Sequence, residues 1–179
     1  MATYYNEITP EQGELILQSP LFFVASTASD NSPGPNGEGS VNVSPKAGVP
    51  LHMIDSNRVM YLDYSGSGNE TARHADSGGP ITLMVCSFST DDAAIVRLFG
   101  KATIRSLDDA GVQDSVTAQG SDEIALTARQ VVDITVERTV TSCGYGVPIM
   151  HYVTERTTSN RGRNYKQGKS SSRQAGQRN

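Results

Sequence analysis

The residues with the clearest chemical potential gather in two short stretches. The first is Ser65-Gly66-Ser67-Gly68-Asn69-Glu70-Thr71, where bare amides and hydroxyls crowd together between a strand-like run and a segment of helical character. Successive amides in a glycine-rich turn form a concave array of donors, suited to an anion such as a phosphate. Ser67 and Thr71 would add hydroxyl donors, while Asn69 also suits a helix N-cap. The commoner use of such a turn is simply to turn the chain. The second stretch is Val41 to Lys46, VNVSPK, in which apolar and polar residues alternate. Val41 and Val43 face one way, and Asn42, Ser44 and Lys46 the other, so the run predicts a half-buried strand with a polar working face. Lys46 is the single lysine in the first 100 residues. Arg97 lies between Val96 and Leu98 in a run that should be buried, so it needs a partner: Asp63, Glu70 or a bound phosphate.

Other chemistries find little support. His52, His74 and His151 are widely spaced with no metal-binding or triad pattern, and no nucleophile elbow is present. Cys86 and Cys143 are too few for a disulfide framework or a zinc site and are expected to be reduced, small and buried. No metal is expected, and the sequence points to no particular catalytic residue.

The elements that would position these residues are mostly strands. Thr9-Pro10-Glu11-Gln12 carries a capping box and opens a short helix to about Gln18. Strands are predicted over Leu21 to Ser26, Ser40 to Lys46, Arg58 to Tyr64, Ile81 to Phe88, Ala94 to Ser106 and 129 to 141, with Pro45 ending regular pairing or marking a bulge. Residues 107 to 119 are open to helix or loop. Six strands of antiparallel character, 17 glycines and no tryptophan indicate a mainly β protein, a small closed or split barrel with short helices.

Charge divides the chain. Residues 1 to 153 hold 8 basic against 18 acidic residues, a balance of −10, whereas the last 26 hold 7 against 1, a balance of +6. An acidic body argues against nucleic acid as a partner. The expected organisation is one domain, 1–153, with a polar, basic and flexible extension over 154–179. No run reaches the roughly 18 apolar residues of a membrane span and no signal pattern opens the chain, so a soluble, cytoplasmic protein is expected.

Taken in order, FFVAST, VNVSPK, YLDYSGSGNETARH, ITLMVCSF, VRLFGKA and SCGYGVP resemble the pyridoxamine 5′-phosphate oxidase-like family of FMN-binding split-barrel proteins, in its branch with S-P-K and G-S-G-N-E-T signatures. The resemblance covers residues 9 to about 153. It implies a six-stranded antiparallel Greek-key barrel that forms a homodimer with FMN between the subunits, and an oxidoreductase acting on a small organic molecule. It also implies that Lys46, Ser67, Gly68 and Asn69 contact the phosphate or ribityl chain and that Val43 and Ser44 approach the flavin edge. Ser65, Thr71, Asp63 and Arg97 complete the candidate cofactor set. Basic residues of the true oxidases are missing from the turn, and their substrate-binding Arg and His have no clear counterpart, which argues against vitamin B6 oxidation. Two rivals share the fold: a deazaflavin-dependent reductase, and a non-catalytic module for haem or another small ligand.

Overall fold

The computed structural model describes residues 1–64, 68–109 and 128–155. Along the chain run β1 (Thr3–Tyr5), α1 (Pro10–Gln18), β2 (Leu21–Thr27), β3 (Val41–Ala47), β4 (His52–Asp55), β5 (Arg58–Tyr64), α2 (Glu70–Asp76), β6 (Pro80–Cys86), β7 (Ala94–Arg105) and β8 (Ala128–Cys143). All pairings are antiparallel. The capping box that opens α1 is present as its sequence predicts: Gln12 N–H donates to the Thr9 hydroxyl, and Thr9 N–H to the Gln12 side-chain carbonyl.

The sheet order is β3-β2-β6-β7-β8-β5-β4, with β1 added to β8. Strands β3 and β4 stand at opposite ends of this path, yet only residues 48–51 separate them. Five Cα steps reach at most about 18 Å, so the two ends must curl toward each other. Among the described residues no ladder joins those ends, and the barrel is split there. The Phe22 and Tyr61 rings meet in a T-shaped contact across this region, with ring centroids 5.3 Å apart. The fold is therefore the mainly antiparallel split barrel that the strand pattern indicates. It has eight strands where six were expected. The additional two, β1 and β4, are three and four residues long, too short to leave a period-2 signal.

Registers define the inner face. Lys46, Phe22, Val85 and Val96 lie in one row across β3, β2, β6 and β7, and Ser44, Val24, Leu83 and Leu98 in the next. Phe22, Val24, Leu83, Val85, Val96 and Leu98 are all buried in the core, together with Val59, Tyr61 and Ile134 of β5 and β8. Burying a residue of this size stabilises by roughly 1.5–3 kcal/mol. Polar Ser44 and Lys46 thus stand on the core-facing side of β3, while Val41 and Val43 project outward, 66% and 63% exposed. This reverses the orientation that alternation alone suggests, because β3 is an edge strand lying beyond the core. Pro45 does not end the ladder either. Pairing with β2 continues to Ala47, which an edge strand tolerates because one of its sides has no ladder to supply.

Strand β8 is the long girder of the structure, pairing with β1, β7 and β5. Its register against β7 shifts between Phe99 and Gly100. A Cβ at Gly100 would lie 1.9 Å from the Thr135 carbonyl oxygen, so only glycine permits this approach. Cys86 is buried as expected, but Cys143 is exposed at the end of β8; both are free thiols.

Candidate functional site

The site is built around a buried carboxylate. Asp63, near the end of β5, is 3% exposed. One of its oxygens accepts from Lys46 Nζ at 2.9 Å, and the other from Arg129 Nε and Gln130 Nε2, each at 2.9 Å. Burial alone would raise the Asp63 pKa, but the hydrogen bond and charge of Lys46, then Gln130 and Arg129, outweigh it and hold the carboxyl below its usual range. Lys46 Nζ also lies 5.6 Å from the Tyr61 ring centroid, a distance at which a cation is attracted to the aromatic face. Lys46 is therefore held by partners on β5, with its side chain 22% exposed.

Two further groups line this region. Asn42 Nδ2 donates to the Thr71 hydroxyl oxygen of α2 at 3.2 Å. Tyr61 is fully buried, and among the described residues its hydroxyl has no hydrogen-bond partner. Burial, followed by the nearby Asp63 charge, pushes this phenol well above its ordinary pKa, so it stays protonated.

The glycine turn enters through its last two residues. The Gly68 carbonyl accepts from Arg129 Nη2 at 2.8 Å, and Asn69 Oδ1 accepts from Gln130 Nε2 at 2.9 Å. Asn69 occupies the N-cap position of α2 without a side-chain capping bond; its amide is turned to β8 instead. Since α2 has only seven residues, it lends the turn little dipole. The expected residues Ser65 and Ser67 lie outside the described residues.

Of the residues singled out in the sequence, Lys46, Asp63, Gly68, Asn69 and Thr71 belong to this region, and Ser44 stands on the same strand face as Lys46. Val43 and Arg97 do not. Both belong to the opposite face of the sheet, where Arg97 shares a row with Met84, Phe23 and Pro45. The polar partner of Arg97 is neither Asp63 nor Glu70: its Nη1 donates to the Ser142 hydroxyl at 3.1 Å. The long side chain reaches two residues along β8 on its own face.

The sequence reading missed Arg129 and Gln130, and it placed Asn42 on the polar strand face without assigning it a role. A usable signal was the adjacency of Arg129-Gln130 to the apolar run Val131-Val132. Pairing that run with the similarly apolar β5 sets Gln130 opposite Asp63. A second carboxylate centre was also missed. Asp133 accepts from Arg58 through two bonds, 2.9 and 2.8 Å, and from Arg105. These bonds outweigh burial and lower the Asp133 pKa. This centre ties β5, β7 and β8 together.

Both nitrogens of buried His74 are engaged. Arginine cannot accept, so Arg73 Nη2 donates to Nε2 at 2.8 Å, and Nδ1–H donates to the Ser26 hydroxyl at 2.9 Å. Among the described residues no group of three or more His, Cys, Asp or Glu side chains is arranged to hold a metal ion, and no helix is long and apolar enough to cross a membrane.

An antiparallel split barrel with a cluster of hydrogen-bond donors around one buried carboxylate, next to a glycine turn, defines a recognisable class. No family profile matches the chain. It is 30% identical over 162 residues to the pyridoxamine 5′-phosphate oxidase family protein ustO of Aspergillus flavus, across 89% of this chain and 61% of that protein. The chain thus spans about three-fifths of the curated relative's length. Among solved structures, a candidate pyridoxamine 5′-phosphate oxidase from Lactobacillus delbrueckii superposes with a TM-score of 0.55 at 21% identity, covering 75% of this chain and 94% of that one. HupZ from Group A Streptococcus gives 0.53 at 19%, covering 74% and 91%. A conserved protein from Corynebacterium diphtheriae gives 0.54 at 13%, covering 79% and 98%. At these identities the structures speak for the fold alone. With the curated relative and the motif order, they make the chain similar to the pyridoxamine 5′-phosphate oxidase-like family.

Proposed function

We propose that the protein is a flavoprotein that binds FMN non-covalently and exchanges a hydride or electrons with a small organic molecule, as a homodimer with the cofactor between subunits. The observation that carries this reading is the polar cluster gathered beside the glycine turn: Lys46 and Asn42 with the Thr71 hydroxyl, braced by Arg129 and Gln130 through Asp63. Such a set fits a phosphate, which takes charge-assisted hydrogen bonds from Lys and Arg and neutral ones from amides and hydroxyls. The Tyr61 hydroxyl, without a hydrogen-bond partner among the described residues, is a further donor held protonated at the same place. When bound, FMN would supply the redox chemistry. The chain's part is to anchor the phosphate through Lys46, Gly68, Asn69 and Thr71 and to present Ser44 to the ring system.

The outward face of the sheet supports the dimer. Val41 and Val43 are exposed side by side on edge strand β3, and the row of Pro45, Phe23 and Met84 continues the apolar surface inward. A second copy covering this face would remove both valines from water and shield the open sheet edge. Deazaflavin is the weaker fit, because its long acidic tail would meet a body whose residues 1 to 153 carry a balance of −10. Haem is weaker still, since both nitrogens of His74 are engaged and His52 is buried in the fold.

Titration of the purified protein with FMN and with riboflavin, read by quenching of flavin fluorescence, tests the proposal. FMN should bind at least about ten-fold more tightly, the worth of one charge-assisted bond to phosphate. No quenching by either flavin would refute it.

A further inference from the structure

Arg129 and Gln130 are neighbours in a strand, and neighbouring strand residues ordinarily point to opposite faces. Here both side chains bond the same Asp63 oxygen. The ladder explains how: Asp63 pairs with Gln130, but the next residue, Tyr64, pairs with Ala128, so the register shifts and Arg129 is the extra residue of a β-bulge. Bulges re-aim a side chain. This one aims the guanidinium across the end of β5, where Nε holds Asp63 and Nη2 holds the Gly68 carbonyl. Gln130 adds a parallel pair of bonds, to Asp63 and to Asn69. The last two residues of the glycine turn are thus fastened to β8 at two consecutive positions, through a carboxylate whose side chain is 5% exposed.

We infer that Arg129 is a positioning residue: the β8 bulge, through Arg129 with Gln130 and Asp63, fixes the Gly68–Asn69 entry to α2 and thereby sets the affinity of the site for the phosphate end of its ligand. The second half of this inference rests on the flavin reading above; the first half does not. Arg129 is suited to the task because a planar fork can hold two acceptors at once, which the single ammonium of lysine cannot do from the same place.

The test uses the full chain and two variants. Arg129→Met keeps the apolar stem and removes both bonds, whereas Arg129→Lys keeps the charge and can retain only one. Hydrogen exchange without ligand should rise at least about ten-fold across residues 68–76 in both variants, with β2 and β6 unchanged, as expected for losing a charge-assisted tether. FMN affinity should fall about ten-fold or more in Arg129→Met and less in Arg129→Lys, while riboflavin affinity changes less than about two-fold in either. Unchanged exchange over 68–76 overturns the positioning role, whatever the flavin results. Raised exchange with wild-type FMN affinity in Arg129→Met overturns the link to phosphate binding. Raised exchange in a protein whose wild type binds neither flavin upholds the positioning role and refutes the flavin reading alone.

Discussion

Replacing Asp63 by Asn removes a charge while preserving shape, so it isolates the electrostatic role of the buried carboxylate. In the native protein this group accepts from two cations and one amide, and hydrogen bonds to charged partners contribute about 1.5–3 kcal/mol each. The full sum is not lost. Lys46 and Arg129 side chains are 22% and 26% exposed and can recover water, and the Asn carbonyl keeps one acceptor. About 2–3 kcal/mol of stability at pH 7 is the expected cost, equivalent to a fall of roughly 4–12 °C in Tm for a domain of this size. The pH dependence sharpens the test. Because the folded pKa of Asp63 lies below its ordinary value, its ionisation contributes stability above about pH 4 and loses it as pH falls through the folded pKa. Thermal melts of wild type and Asp63→Asn should therefore lie far apart at pH 7 and converge below about pH 4. Melts within about 1 °C at pH 7, or a gap that stays constant into acid, would show that the carboxylate carries no such load.

Three other perturbations follow from the same geometry. Burial, then the charge of Arg73, lowers the His74 pKa, so its neutral form stabilises the fold above about pH 6.5 and stability declines as pH falls below that value; His74→Gln should reduce this decline in melts between pH 7 and 5, leaving the part due to buried His52, whose pKa burial also lowers. Gly100→Ala would force a Cβ to within 1.9 Å of the Thr135 carbonyl oxygen, and should cost at least about 3 kcal/mol in chemical denaturation, because backbone at a bulge has little room to yield. Val43→Asp puts a charge in the centre of the exposed β3 face and should convert a dimer to a monomer in sedimentation at micromolar concentration, with circular dichroism unchanged; a wild type that sediments as a monomer would refute the dimer.

How much of this was legible in the sequence depended on the range of the interaction. The Thr9 capping box is local, three residues end to end, and the structure reproduces it bond for bond. Six strands were legible because runs such as Leu21–Thr27 and Arg58–Tyr64 are long enough for composition and period to speak. The three-residue β1 and four-residue β4 were not, since they are held by their partners in the sheet. Alternation in VNVSPK was read correctly, but not its sign: which face turns inward depends on the core lying to one side of an edge strand. Lys46 and Asp63 were both noticed, yet their pairing bridges the gap between β3 and β5, where no strand ladder supplies a register. Arg129 was the hardest to find. Its reach to Asp63 and Gly68 follows from one extra residue in β8, visible only once β5 and β8 are aligned.

The most direct test of the central claim is the visible absorption spectrum of the protein as purified, followed by mass spectrometry of whatever heating releases. The account predicts a yellow protein with the two-band oxidised flavin spectrum and a released species with the mass of FMN. A colourless protein that also fails to quench added FMN, or a released cofactor other than FMN, would contradict it.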